Sequence, residues 1–440
     1  KLPGTIIYRF TEKTSSTPTF LTEEGNCMTV KKILLIAAVM LVFFAFVGGK
    51  TVITMWVYDE MAANEEMELV KAQKEFMKRN PTVELKIENV PNRGLMEKFI
   101  TASLAGVAPD IIHVSTTWAV ELGAIGTLLP LNDYIYASGK DKEILKSAID
   151  SSTLDGNIYA LPWISDATAL IINKTAFEKA GINYSRDTAM NWSEFLEVAK
   201  KLTHDDQYGF GIRSGRGAAY GWFPWLYANG GSLFSPDGTK VTFNEPEGKE
   251  AFKFYTDLFT THKVIPPGAI AYDTWDDIRN SFLGGRIAMY IAGDWEIAPL
   301  RAANAAFEID VIPHPMQVRR AASLGGSSLG IWSGSKAKDA AWAWLDFLTS
   351  AENMKVAFSY GRFPSRVDAL DSGFINDPLI EQFIREFPYG INHASLVGDY
   401  SRTVLGDAFT SVLVYGENPD IALDKAAKTI QEALNEVLGK

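Results

Sequence analysis

Trp or Tyr recurs beside Asp, Asn or Arg near the ends of apolar runs: Tyr58-Asp59, Asn92-Arg93, Trp163 with Asp166, Trp225 with Asn229, and Asp294-Trp295. A sugar presents apolar C–H faces and a rim of hydroxyls that both donate and accept. Aromatic planes cover such faces, while carboxylates, amides and guanidinium groups hold the rim in fixed geometry. Each pair alone also fits a core aromatic beside a loop acid; their repetition along one chain points to saccharide binding. Positive catalytic signals are missing. The five histidines, at 113, 204, 262, 314 and 393, show no metal spacing, and no phosphate loop occurs. His113 lies inside a hydrophobic run, where a satisfied core histidine is expected. Gly209-x-Gly211 and Gly215-x-Gly217 are too sparse for a nucleotide site. Two rival chemistries stay open here. A secreted hydrolase could use a carboxylate pair such as Asp59 and Asp294, whose separation is spatial and leaves no sequence trace. An anionic solute could be gripped by Arg93, Arg213 and Arg216.

The elements that must position these groups alternate between strand and helix. Tyr159 to Lys174 is the organising stretch: Pro162 keeps Leu161 extended, and Ala169-Leu170-Ile171-Ile172 reads as a buried strand, with Trp163, Ser165 and Asp166 between. Val52 to Tyr58 reads as a buried parallel strand. A helix follows with Leu69, Ala72 and Phe76 inward, then a strand over Val83 to Ile87, a helix through Met96, Phe99, Ile100 and Leu104, and a strand over Ile111 to Val114. Such alternation implies doubly wound α/β sheets, with ligands beyond the carboxyl ends of the strands. Further on, Asn191 caps a helix, Tyr208 to Ile212 is a strand leading to a Gly-rich loop at 214–217, and Arg286 to Ala292 is a strand running into Asp294-Trp295. Phe307 to Ile312 and Ser323 to Ile331 are strands, and Ala341, Trp344, Leu345 and Leu348 form a helical stripe. The last helix starts at Asn418-Pro419 and carries Leu423, Ile430, Leu434 and Val437 inward.

At 440 residues the chain exceeds what one core supports, so two lobes are expected. With 47% apolar and 22% charged residues it is globular, and its net charge of −11, without a basic aromatic-interleaved block, excludes nucleic acid as the main partner. Lys31 and Lys32, an apolar run at 33–47 and Gly48-Gly49 have the layout of a secretory signal, with cleavage expected after Gly49. Residues 1–27 precede that layout and are expected to be an upstream over-extension, with Met28 the start. The only cysteine, Cys27, lies ahead of the apolar run, so the processed protein has no thiol for a disulfide, a nucleophile or a metal. No cofactor is expected.

From residue 51 to 440 the chain resembles the family 1 extracellular solute-binding proteins of ABC importers, the group of maltose- and trehalose-binding proteins. The resemblance rests on the order and spacing of Phe76 to Pro81, Ala105 to Ile111, Leu122 to Leu131, Tyr159 to Lys174, Asn229-Gly230-Gly231, Phe282 to Met289 ahead of Gly293-Asp294-Trp295, and Arg362 to Arg366. It implies a two-lobed periplasmic binding protein fold of the type II kind, its lobes joined by crossing hinge strands and closing on the ligand. The expected division is 50–163 with 295–335 for the first lobe and 164–294 with 336–440 for the second. By position it implies ligand contacts at Tyr58, Asp59, Arg93, Ser115, Trp118, Trp163, Asp166, Trp222, Trp225, Asn229, Asp294, Trp295, Gly326, Ser327 and Arg362. It further implies a non-enzymatic, monomeric receptor that passes a saccharide to the transmembrane permease subunits. Many relatives carry an acid where this chain has Ser115, so no particular sugar transfers. The lipobox cysteine of Gram-positive relatives is missing, which favours a soluble protein in a periplasm-like space.

Overall fold

The computed structural model describes residues 19–21, 27–29, 49–58, 61–369 and 377–440, the first two segments as backbone only. The chain divides between Thr51 and Val52 into two units. In the first, Thr19–Leu21 pairs antiparallel with Cys27–Thr29. The apolar run at 33–47 lies outside the described residues, as does Asp59. Among the described residues no helix is long and apolar enough to cross a membrane.

The second unit alternates strand and helix from its start. After β1 (Thr51–Val57) comes α1 (Glu68–Arg79), which buries Leu69, Ala72 and Phe76 on one stripe. Then follow β2 (Val83–Asn89), α2 (Leu95–Leu104), β3 (Ile111–Ser115) and α3 (Thr116–Ala124). β1 and β3 run parallel, Met55 opposite Ile111, as the helical crossovers between them require.

β4 (Leu161–Asn173) is buried at every position, and its two halves belong to different cores. The second half pairs antiparallel with β5 (Met289–Gly293), Thr168 opposite Gly293, and with β6 (Ile309–Ile312), Leu170 opposite Ile312. The first half pairs with β7 (Ala322–Ile331), from Leu161 opposite Leu329 to Ala167 opposite Leu324. Leu161, Trp163 and Ile164 accordingly pack with Ile53, Met55 and Phe76, whereas Leu170 and Ile172 pack with Phe195, Phe210 and Trp222. β7 also joins β3, so one sheet path runs β6-β4-β7-β3-β1-β2 through both lobes. The apolar stretches on either side of Ser165-Asp166 follow from this: β4 has no solvent face in either lobe.

Helices α4 (Trp192–Lys201), α5 (Gly215–Ala228), α6 (Pro246–Thr260) and α7 (Trp275–Leu283) follow β4. At the start of α4 Asn191 and Glu194 cap each other's backbone. The segment from Tyr208 to Ile212, expected as a strand, makes only single bridges, Tyr208 with Ile287 and Gly211 with Tyr290. Its middle is pressed onto a helix instead, since a Cβ on Gly209 would meet the Ala199 carbonyl oxygen at 2.0 Å. The expected glycine loop at 214–217 is the first turn of α5. Helix α8 (Lys338–Leu348) packs Ala341, Trp344 and Leu345 in the core of β1 and β3, although the sequence boundary grouped 336–440 with the second lobe. Periodicity identifies a buried stripe but not which core covers it. Two long helices, α9 (Gly398–Leu413) and α10 (Pro419–Val437), close the chain. In α10 Leu423, Ile430 and Leu434 are buried as expected, but Val437, in the last turn beyond the core, is exposed.

Candidate functional site

Asp166 lies where the pairing of β4 passes from β7 to β5. Asp294 follows the last residue of β5, itself opposite Thr168, so adjacent strands deliver two carboxylates to one place. Arg362 precedes β8 (Phe363–Pro364), whose Phe363 pairs with Ser165. Its guanidinium Nη1 stands 3.3 Å from Asp166 Oδ2 and 3.7 Å from Asp294 Oδ1. Burial pushes the Asp294 carboxyl well above the usual carboxylate range; Arg362 opposes that shift and Asp166 adds to it. Among the described residues, Asp294 Oδ1 and Trp295 Nε1 have no hydrogen-bond partner.

Aromatic rings and further guanidiniums surround this centre. The Trp295 ring lies 5.2 Å from Trp275 and 6.3 Å from Tyr220, and Arg362 is 5.5 Å from it. Arg402 sits 5.4 Å from the Tyr220 ring, and Arg213 covers Trp275 at 3.7 Å, within cation–π range. Small residues keep the floor open. A Cβ on Gly325 would meet Asp166 Oδ1 at 2.4 Å and the Tyr220 hydroxyl at 3.7 Å. Gly326 has φ +130°, and a Cβ there would come within 2.1 Å of the Ile164 carbonyl oxygen.

A second aromatic group belongs to the first lobe. Tyr58 stacks on His113 at 3.9 Å and tilts towards Trp118, while Trp163 meets His113 edge-on at 5.1 Å. Burial and the Arg362 charge hold His113 neutral, its pKa far below the ordinary histidine value. Ser115 ends β3, its hydroxyl 3.1 Å from that of Thr117, and Ser327 of β7 pairs opposite it. Trp118 Nε1 donates to Asp399 Oδ1 at 3.3 Å, and Asp399 also pairs with Arg216 on α5. The Asp399 amide, at the start of α9, donates to Glu121 Oε1 at 2.7 Å. Burial pushes Glu121 up to about 8, against the lowering effect of that amide.

Several expected contacts lie elsewhere. Trp222 and Trp225 are fully buried in the second core, packed against Phe252 and Phe409 and against Phe195 and His314 respectively. Asn229 is a helix end: its amide nitrogen donates to the Glu247 carbonyl and to Glu250. Trp163 is a core residue of the first lobe. Arg93 is on the surface, 87% exposed, bridging to Asp273 at 2.7 Å. Tyr220, Trp275, Arg402, Glu121 and Asp399 were not anticipated. A signal for the first of these exists in the sequence: once the helix is begun at Gly215, Arg216 and Tyr220 share a face distinct from the stripe of Trp222, Trp225, Leu226 and Asn229. A surface depression of about 720 Å³, lined by His204, Asp205 and Arg286, contains none of these groups.

Residues 62–355 match the family model for the bacterial extracellular solute-binding proteins. A binding protein of Brucella abortus is 27% identical over 368 residues, covering 81% of this chain and 87% of its own. A maltotriose-binding protein of Pyrococcus abyssi is 27% identical over 345 residues, 76% of this chain and 71% of that one. Among solved structures, an ABC transporter solute-binding protein of Thermotoga lettingae with bound α-D-tagatose superposes with a TM-score of 0.79 at 28% identity, covering 88% of this chain and 100% of its own. Two lobes sharing a crossing strand, acids and aromatics converging at the crossing, and a match over most of the second unit lead to one conclusion: this chain belongs to the bacterial extracellular solute-binding proteins.

Proposed function

We propose that this protein is the receptor of an ABC importer, capturing a mono- or oligosaccharide between its lobes and delivering it to the membrane permease. One observation carries the reading: Asp166, Asp294 and Arg362 meet at the crossing of β4 and β5, beside the rings of Trp295, Tyr220 and Trp275. Hydroxyl-binding groups next to aromatic planes are what a sugar needs. The tagatose and maltotriose of the two relatives fall in the same ligand class. β4 and β7 are the connections about which the lobes would close on it. Export with removal of 28–49, a periplasmic location, a monomeric state and the absence of catalysis complete the reading.

The test is a thermal-shift screen against a sugar library, followed by calorimetry on the hits. A ligand that binds only the folded protein raises its melting temperature by mass action. Oligosaccharides recovered intact after incubation, with tight binding, are the expected result; release of shorter sugars would make the protein a hydrolase instead.

A further inference from the structure

Among the described residues, the four guanidiniums around Tyr220, those of Arg213, Arg216, Arg362 and Arg402, outnumber the three carboxylates within 4.0 Å of them, Asp166, Asp294 and Asp399. Arg362 has Asp166, and Arg216 has Asp399. Arg213 and Arg402 have no carboxylate within 4.0 Å among the described residues, and Arg402 Nε is buried without any hydrogen-bond partner. Each guanidinium lies instead on an aromatic ring, Arg213 on Trp275 and Arg402 on Tyr220, and those rings are 6.4 Å apart. Burial lowers the pKa of both, helped by Arg402 at Arg213 and by Arg216 at Arg402, where Asp399 opposes it; Arg213 falls to about 10, which leaves it charged at neutral pH. Of the other nearby acids, Asp294 and Glu121 are pushed up by burial, Glu121 to about 8, and Glu296 is held by Arg279 at 2.9 Å. His393, edge-on to Tyr220 at 5.7 Å, is held neutral with a pKa of about 3. Two shielded guanidiniums with no carboxylate in contact among the described residues are costly unless something brings a negative charge to them.

We infer that the captured saccharide is acidic, carrying a carboxylate or phosphate that Arg213 and Arg402 receive while Trp275, Trp295 and Tyr220 cover its apolar faces. This rests on the saccharide reading above and narrows it. Guanidinium forks suit planar or tetrahedral oxyanions, and both ring-stacked side chains are already ordered for that contact.

Calorimetry at pH 7 would compare D-glucuronate, D-galacturonate, digalacturonate and D-glucose 6-phosphate with D-glucose, D-galactose and maltose. At least one acidic sugar should bind about tenfold or more tightly than its neutral parent. Uronates winning identifies a carboxylate, the phosphate ester winning a phosphate. Arg402→Met and Arg213→Met, each checked for an unchanged melting temperature, should bring the acid's affinity down to the parent's; if either fails to fold, the other reads the same ratio. Equal affinities for acidic and neutral sugars would overturn the anion site and leave the saccharide receptor standing. Binding of none of these sugars, with another solute class stabilising the protein, would remove both.

Discussion

Trp295 is where a single side chain should matter most for binding and least for folding. Its ring is partly exposed, it touches Trp275 and Tyr220, and its Nε1 has no partner among the described residues. Trp295→Ala should weaken sugar binding at least ~10-fold while leaving the unfolding midpoint close to wild type. Near-native affinity by calorimetry would remove Trp295 from the site. Gly326 is the converse. At φ +130° with the Ile164 carbonyl in the way, Gly326→Ala should cost ~2 kcal/mol or more of stability, read as a lower urea midpoint at unchanged slope. At this scale the sequence was legible where a polar residue closes an apolar run, as at Asp294 after β5, or interrupts one, as at Asp166 within β4. It was not legible for Trp222 and Trp225. Dense aromatics look alike in a core and in a cleft until the helical face is known.

Elements were more legible than their neighbours. The start of α10 could be read from Asn418-Pro419, and Asn418 Oδ1 indeed accepts from the Asp420 and Ile421 amides. Asn418→Ala should therefore cost ~1 kcal/mol, with faster amide exchange in the first turn of α10; protection equal to wild type would mean the cap contributes nothing. β4 could be read from its apolar run. Its division between two cores could not, since a strand with no solvent face looks the same whether one sheet or two bury it. Tyr208 to Ile212 misled for a related reason. The apolar spacing of a strand is present, but Phe210 donates its amide to Val264 rather than to a sheet neighbour.

For the molecule as a whole, the contact between the lobes at α3 and α9 carries a titratable group. Glu121, on the first lobe, accepts the Asp399 amide at the start of α9 on the second. Its pKa rises from an ordinary 4.5 to about 8 on folding, so between those values the folded protein holds a proton that the unfolded chain has lost. Stability from this group is complete below about 4.5 and declines as pH climbs towards 8. Asp294, also raised by burial, gives a slope of the same sign. Glu121→Gln removes one contribution only. The wild-type melting temperature should consequently fall more steeply between pH 5 and pH 8 than that of the Gln variant, the curves converging at the acid end. Ionised Glu121 would also place a second negative charge beside Asp399, between the lobes. Small-angle scattering of the ligand-free protein should therefore show a larger radius of gyration at pH 8.5 than at pH 6, a change the Gln variant lacks. Parallel melting curves for the two proteins would show that Glu121 is already ionised at neutral pH, and that the interlobe contact does not respond to protons.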